Sequence, residues 1–112
     1  MDTQTAAIDM QQIPFQLIAN AGAARSMPFE ALAAAKKGDF ERADELMAQS
    51  REAALAAHQT QTDLLSAEAQ AQEDGGSHLP VDVMLVHSQD HLMCAMLAQE
   101  LIAEIIELYR TG

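Results

Sequence analysis

The chain has 112 residues, which is enough for one domain with one hydrophobic core but too few for two. Seventeen acidic residues against six basic ones give a formal net charge of −11, which disfavours binding to nucleic acid or to an anionic membrane surface. Hydrophobic residues make up 49% of the chain, so it carries enough apolar surface to fold. We therefore expect residues 1–112 to form a single domain.

The sequence shows no targeting signal. The first residues, MDTQTAAIDM, contain no basic residue before an apolar run, and no stretch reaches the ~18 apolar residues of a membrane span. Cys94 is the only cysteine, so no internal disulfide can form, which fits a reducing compartment. We expect a cytoplasmic protein without direct membrane insertion.

The first predicted helix covers residues 9–37. Its apolar residues recur every three or four positions: Ile13, Leu17, Ile18, Ala21, Ala24, Leu32 and Ala35. The sequence KKGD at 36–39 predicts the end of this helix and the beginning of the next, because the glycine suits a left-handed C-terminal cap and the aspartate can cap the N-terminus of the second helix. Pro28 lies inside this helix, so we expect a bend near Met27 but no separate element.

The second predicted helix covers residues 39–72 and carries a stripe typical of a bundle seam. The stripe consists of Phe40, Ala43, Met47, Ser50, Ala54, Ala57, Gln61 and Leu64. The sequence EDGGS at 73–77 predicts a loop, and Pro80 fits the first turn of a third helix over 80–110. Long helices joined by short turns lie antiparallel, so we predict an all-α fold, an antiparallel up-down-up three-helix bundle.

The third helix is apolar on all sides. Residues 83–86 (VMLV) are consecutive and therefore cover every direction around the axis, and residues 92–97 (LMCAML) nearly do the same. A three-helix bundle can cover only about half of such a helix. We therefore expect a homo-oligomer that packs through the third helix, with Cys94 as a small buried side chain.

The heptapeptide HSQDHLM at 87–93 is the most informative polar stretch of the chain. Asp90 and His91 lie three and four residues after His87, so on a helix the three side chains share one side. Polar groups in an apolar helix are costly unless they are paired or used. Three interpretations are open: a metal site, a phosphoryl-carrying histidine, or inert hydrogen-bonded residues.

In the metal interpretation, two histidines one turn apart chelate zinc and Asp90 adds an oxygen ligand. A fourth ligand would have to be Cys94 or His78, and the motif lacks the glutamate of the HExxH metalloproteases. In the phosphoryl interpretation, a neutral imidazole attacks phosphorus directly, and Gln89 or a neighbouring imidazole donates to the phosphate oxygens.

Asp90 raises a separate question if the third helix lies at an oligomer axis. Symmetry then brings several Asp90 carboxylates together, and buried like charges must be protonated or bridged by a cation. A hard cation such as Mg²⁺ would fit carboxylate ligands. The alternative is a carboxylate that pairs with His87 or His91.

Four segments of the chain together resemble one family. They are LIANAGAARS in the first helix, EALAAAKKGDFERADELM across the first turn, AHQTQTDLL in the second helix, and LVHSQDHLMCAMLAQELIAEIIELYR in the third. In this order and spacing, over roughly residues 13–110, the chain resembles the lactose/cellobiose-type EIIA components of the bacterial sugar phosphotransferase system.

This resemblance implies a three-helix bundle assembled as a homotrimer. It implies a phosphotransferase component that accepts a phosphoryl group from the phosphocarrier protein HPr and passes it to a cysteine of the EIIB component, for uptake of a β-disaccharide such as lactose, cellobiose or chitobiose. It implies that His87 is the phosphorylated histidine, that Asp90 binds a divalent cation, expected to be Mg²⁺, at the trimer axis, and that Gln89 and His91 line the site.

Two rival functions and two neighbouring residues complete the sequence-based expectations. KKGDFERADELM at 36–47 also resembles the helix pair of tetratricopeptide repeats, which predicts a non-enzymatic helical adaptor, but it occurs once and such arrays need several copies. A zinc-binding helical bundle is the other rival.

On the second helix, His58 and Gln61 are expected to face solvent or to fill the seam between helices. The alternative is that they form hydrogen bonds to the residues that line the site.

Overall fold

The computed structural model describes residues 12–75 and 83–112. Three helices form this part of the chain: α1 spans Ile13–Lys36, α2 spans Phe40–Glu73 and α3 spans Val83–Thr111. No strand occurs among the described residues. The predicted all-α fold class is confirmed, and α1 and α2 end within one residue of their predicted ends.

Three sequence-based expectations lie outside the described residues. They are the start of the first helix at residue 9, the start of the third helix at Pro80, and the part that His78 would play as a metal ligand. Pro28 lies inside α1, which continues through it without interruption. The expectation that Pro28 does not create a separate element is therefore confirmed.

The turn between α1 and α2 follows the predicted chemistry. Gly38 adopts a φ of 83°, a left-handed conformation that glycine tolerates without steric cost, and its N–H donates to the Ala35 carbonyl at 2.9 Å. The Asp39 N–H donates to the Ala34 carbonyl at 2.9 Å, and the Asp39 carboxylate accepts from the Arg42 N–H at 3.1 Å. This short turn forces α2 to run back along α1.

Two buried clusters show how the helices run. The first joins the beginning of α1, the end of α2 and the beginning of α3; its members are Ile13, Leu17, Ala21, Ala57, Leu64, Leu85 and Leu92. The second joins the end of α1, the beginning of α2 and the end of α3; its members are Ala31, Ala35, Ala43, Leu46, Met47, Ile102 and Ile106. Helix α2 is therefore antiparallel to both α1 and α3, which confirms the up-down-up order.

Between these clusters the bundle narrows to three alanines, one from each helix: Ala24, Ala54 and Ala95. Pro28 has no N–H to give to the Ala24 carbonyl four residues earlier. The Ser50 hydroxyl of α2 donates to that carbonyl at 2.7 Å instead. The side-chain amide of Gln99 donates to the Ser50 hydroxyl at 2.7 Å and to the Ser50 carbonyl at 2.8 Å. We call Ser50, Gln99 and the Ala24 carbonyl the interior polar cluster, because it ties all three helices together.

Helix α3 presents a largely apolar side away from the bundle. Six aliphatic residues on this side are each more than half exposed: Val83, Val86, Met93, Leu97, Leu101 and Leu108. They recur three, four or seven positions apart, so they form a continuous stripe opposite the buried residues of the same helix. We call this stripe the exposed face of α3. The bundle therefore leaves a large part of the third helix uncovered, as the sequence predicted.

Candidate functional site: a groove between α1 and α3

An open groove of about 520 Å³ lies along α3 and is closed on one side by α1. Towards the beginning of α3 its lining is polar and consists of His87, Asp90, His91 and Cys94, with Arg25 from α1. Further along, its lining is apolar and consists chiefly of Phe29, Leu97, Leu101 and Ile105. We call it the α3 groove. It brings together three of the four predicted site residues.

His87 and His91 lie one helical turn apart, and their rings meet edge to face. The ring centroids are 4.6 Å apart and the ring planes are inclined by 81°. His87 is exposed, whereas His91 is partly buried. Neither imidazole forms a hydrogen bond or an ion pair with any other residue in the described ranges. The His87 ring is thus held beside a second imidazole and is still open to a ligand in the groove.

Asp90 lies on the exposed face of α3, seven residues after Val83 and seven before Leu97, so all three point in nearly the same direction. Its carboxylate is exposed and forms no ion pair within the described part of the chain. In water an isolated carboxylate is well solvated, but a covering surface would remove that water. Any partner that covers the exposed face of α3 must therefore neutralise Asp90.

Within one protomer, the described residues contain no group of three or more His, Cys, Asp or Glu side chains that could hold a metal ion. The interpretation as a zinc-binding bundle therefore lacks a ligand set here, and His78 lies outside the described residues. Carboxylate oxygens suit a hard cation, so Asp90 fits one only if several protomers each contribute a carboxylate. The magnesium site stays a prediction.

Gln89, the fourth predicted site residue, does not line the α3 groove of its own protomer. It lies two residues after His87, which on a helix is a rotation of about 200°, so it faces α2 and not α1. There the side-chain amide of Gln61 donates to the Gln89 side-chain oxygen. Both glutamines are partly buried, while His58 on α2 is exposed. The expected role of Gln89 at the site stays a prediction, and it requires a different geometry.

The groove also contains residues that sequence reasoning missed or misplaced. Arg25 and Phe29 of α1 both line it, and the only signal for Arg25 was its position directly after Ala24 of the buried stripe. Arg25 forms no ion pair among the described residues. Cys94 was expected to be buried, and within the single chain this was wrong: it is exposed. The reason is that Cys94 lies four residues after Asp90 and so shares the exposed face of α3.

The profile of the family described as "PTS system, Lactose/Cellobiose specific IIA subunit" matches residues 12–110, which is most of the chain. The chain belongs to this family. It is thus an EIIA component, a phosphotransfer component of the sugar phosphotransferase system, and the interpretations as a tetratricopeptide adaptor or as a zinc-binding bundle are not favoured. None of the described helices is both long enough and apolar enough to cross a membrane.

Individual relatives and solved structures agree over nearly the full length. The N,N'-diacetylchitobiose-specific EIIA component of Escherichia coli (strain K12) is 47% identical over 108 residues, which cover 96% of this chain and 89% of that protein. The crystal structure of the cellobiose-specific enzyme IIA from Bacillus anthracis is similar with a TM-score of 0.80 and 43% identity, over 97% of this chain and 95% of that one.

A third neighbour was solved together with a partner protein. It is the IIA(Chitobiose) chain of the IIA(Chitobiose)–HPr complex from the Escherichia coli phosphotransferase system, with a TM-score of 0.75 and 41% identity. The alignment covers 94% of this chain and 97% of that one. The partner of that neighbour in the complex is HPr.

Proposed function

We propose that His87 is the residue that carries the phosphoryl group, accepting it from an HPr-type phosphocarrier protein and passing it to the cysteine of an EIIB component. The observation that carries this proposal is the placement of His87: exposed in the α3 groove, edge-on to His91, with no described hydrogen bond to its ring. An imidazole in this setting can meet phosphorus without first breaking an interaction within the protein.

Two displacement steps make up the relay. In the first, a ring nitrogen lone pair of neutral His87 attacks the phosphorus of the donor, the new N–P bond forms, and the bond from phosphorus to the donor breaks with its electron pair returning to the donor. In the second, a thiolate of EIIB attacks the same phosphorus, the S–P bond forms, and the N–P bond breaks with its electron pair returning to the ring nitrogen of His87. The phosphoryl group moves, and His87 is regenerated unchanged.

His91 is placed to assist this relay. The two ring centroids are only 4.6 Å apart, so a group bound to His87 lies beside the edge of the His91 ring. A ring N–H of His91 can donate to a phosphoryl oxygen, and a hydrogen bond to a charged oxygen is stronger than one between neutral groups. His91 therefore fits the role of a hydrogen-bond donor that lines the site.

The assembly that we propose is a homotrimer packed through the exposed face of α3. Its support is the stripe of exposed aliphatic residues, which runs the length of the helix and is larger than isolated surface leucines require. A second and third copy of the same stripe would bury it by closed symmetry. In such a trimer Asp90 lies inside the interface, because it shares the direction of Val83 and Leu97.

Asp90 is also the residue that would hold a divalent cation in the trimer, for which Mg²⁺ is the ion we propose. One carboxylate from each subunit supplies oxygen ligands of the kind that hard cations prefer. When bound, the cation would neutralise carboxylates that otherwise repel one another at the subunit boundary. Asp90 thus holds the subunits together, while the chemistry of the relay takes place on His87.

The partners and the sugar follow from family membership and charge. HPr is proposed because the similar IIA(Chitobiose) chain was solved in complex with it, and an EIIB component because EIIA components work within the phosphotransferase system. The net charge of −11 favours partners that carry a basic docking surface. We propose a β-disaccharide of the lactose, cellobiose or chitobiose type as the sugar, and the cytoplasm stays the predicted compartment.

Labelling by ³²P from phospho-HPr tests the function directly. His87→Ala should abolish labelling, because the nucleophile is gone, while the helical circular dichroism signal stays unchanged. His58→Ala is the matched control, because His58 is an exposed histidine of α2 outside the groove, and it should label at the wild-type rate. Labelling that persists in the folded His87→Ala protein would overturn the assignment.

A further inference from the structure

The α3 groove contains a single fixed positive charge. The chain has six basic side chains against seventeen acidic ones, and one of the six lines the groove as the structure describes it. That residue is Arg25, which is exposed and lines the α1 side of the groove, whereas His87, Asp90 and His91 line the α3 side. A guanidinium keeps its charge throughout the physiological pH range, so Arg25 is always available as a cation to an anion that enters the groove.

Arg25 has no internal partner, although acidic side chains are abundant. Elsewhere in the bundle Arg110 donates to Asp44 at 2.7 Å, which shows how an exposed arginine of this chain pairs when a carboxylate is within reach. The side chain of Arg25 forms no ion pair or hydrogen bond within the described ranges, even though Asp90 lines the same groove. The donors of Arg25 are therefore free for an external acceptor.

The packing of α1 against α3 directs Arg25 towards the histidines. Ala24, the residue before Arg25, shares a buried cluster with Ala95 of α3. His91 precedes Ala95 by four residues, which is about 6 Å along the helix axis. Long side chains on an α-helix lean towards its N-terminus, and α1 runs in the same direction as α3, so the side chain of Arg25 extends back along the groove towards His91. Arg25 is thus directed to the polar end of the groove, where His87 also lies.

We infer that the guanidinium of Arg25 binds the phosphoryl group while that group is held on His87; the inference rests on the proposed relay. A phosphorylated side chain carries about 1.5 to 2 negative charges near neutral pH, and on His87 this charge lies in the same groove as the Asp90 carboxylate. A guanidinium offsets this repulsion, because its planar fork of N–H donors matches the oxygens of a phosphoryl group in charge-assisted hydrogen bonds. Arg25 forms hydrogen bonds only, so the bonds made and broken in the relay are unchanged.

This role differs from that of a residue that docks the donor protein. A docking residue changes how fast phospho-HPr and this chain exchange the phosphoryl group. It does not change the equilibrium between the two proteins, because that equilibrium depends only on the free energies of the separate reactants and products. Arg25 contacts the phosphoryl group in the product, so its loss lowers the equilibrium constant for transfer onto His87.

The equilibrium constant is therefore the quantity to measure. Isolated ³²P-phospho-HPr is mixed with the protein, and the label on each of the two proteins is determined once their ratio is constant. Arg25→Gln should lower the equilibrium constant about fivefold, the effect expected from losing one solvent-exposed ion pair. Arg25→Lys keeps the charge but not the planar fork, so its constant should lie between those of Arg25→Gln and the wild type. Arg51→Gln is the matched control, because Arg51 is an exposed arginine of α2 outside the groove, and it should keep the wild-type constant.

The NMR signal of the Arg25 side chain gives a second readout that does not depend on transfer between proteins. The chain has four arginines, and the Nε–H signal of Arg25 is the one that disappears in Arg25→Gln. Phosphorylation of His87 should shift this signal and leave that of Arg51 in place.

The outcomes separate this inference from the proposed relay. If Arg25→Gln labels slowly but keeps the equilibrium constant of Arg51→Gln, Arg25 docks the donor and the inference is overturned. An unchanged equilibrium constant with a lower thermal midpoint would also overturn it, because Arg25 would then have a structural role, such as an ion pair across a subunit boundary. If Arg25→Gln matches the control in every measurement, the inference fails and the relay stands. Labelling of His87→Ala would instead overturn the relay itself.

Discussion

Two groups of polar residues occupy positions where the helical pattern favours apolar ones. One group is buried and hydrogen-bonded within the bundle, and the other is open to the surface. The interior polar cluster is closed, because Ser50 is fully buried and both it and Gln99 donate to acceptors within the bundle. The second group, which we call the exposed polar cluster, consists of His87, Asp90 and His91. It opens into the α3 groove, and none of its side chains forms a hydrogen bond within the described part of the chain.

The difference teaches how to separate a structural polar residue from a functional one in a small bundle. A buried polar group whose partners all lie within the protein contributes to stability and specificity. A polar group that sits in apolar surroundings without an internal partner is instead available to an external one. By this criterion Ser50 is structural and His87 is available for the function that we propose, although both interrupt an apolar stripe in the sequence.

The largest effect is expected when a charge is introduced into the apolar residues that surround the exposed polar cluster on α3. Leu101→Asp places a charge on the exposed face of α3, and burial of unpaired charges costs several kcal/mol, so the proposed trimer should dissociate to monomers. Sedimentation velocity measures the assembly, and circular dichroism checks the helices. Leu55→Asp is the matched control: Leu55 on α2 is 67% exposed, Leu101 is 56% exposed, and only Leu101 lies on that face. Dissociation by both variants, or by neither, would contradict the proposed interface.

An effect of intermediate size is expected inside the interior polar cluster. Ser50→Ala removes the donor to the Ala24 carbonyl and leaves a buried acceptor unpaired, which should lower the free energy of unfolding by about 2 kcal/mol. Urea denaturation measures this, and ³²P labelling of the folded protein should stay at the wild-type rate. Ser66→Ala, at an exposed position of α2, should change stability by less than about 0.5 kcal/mol. If Ser50→Ala lost labelling but kept its stability, the assignment of a purely structural role to the interior polar cluster would be contradicted.

The smallest effect is expected at Asp90. Asp90→Leu replaces the carboxylates of the proposed interface, and the cation that they would bind, by apolar side chains, and this should leave the stability of the assembly unchanged or raise it by about 1 kcal/mol in all. The metal content of the purified protein should fall from about one divalent cation per three chains to background, as measured by metal analysis. Treatment with EDTA should then lower the thermal midpoint of the wild-type trimer but not that of the variant. An unchanged metal content in Asp90→Leu would place the cation elsewhere.

Much of the fold could be predicted because its signals are local. The glycine cap at Gly38 and the aspartate cap at Asp39 both depend on residues within one turn, and both were predicted from four consecutive letters. The same holds for the stripe on α2, in which Ser50 was placed in the seam. The partner of Ser50 was not predictable, because the Ala24 carbonyl is freed by a proline on another helix and is reached only by packing.

The candidate site likewise contains features that local sequence signals predict and features that arise only from packing between helices. The shared side of His87, Asp90 and His91 follows from helical spacing and was correctly anticipated. Arg25 was missed, since nothing in the spacing of α1 connects it to a residue more than sixty positions later. Cys94 was expected to be a small buried side chain, although its distance of four residues from Asp90 already indicated the exposed face of α3. For Cys94 the helical periodicity indicated exposure, whereas the apolar residues next to it in the sequence suggested burial.

The pairing of Pro28 with Ser50 has a consequence for the order in which such a sequence can change. A hydroxyl at position 50 is tolerable next to an ordinary helix, because a serine can donate to a carbonyl that is already bonded once. A proline at position 28 leaves the Ala24 carbonyl without its helical donor, so it is accepted at low cost only where that hydroxyl is already present. Ser50 is thus a permissive residue: as long as Pro28 is present, loss of the Ser50 hydroxyl leaves the Ala24 carbonyl without a donor.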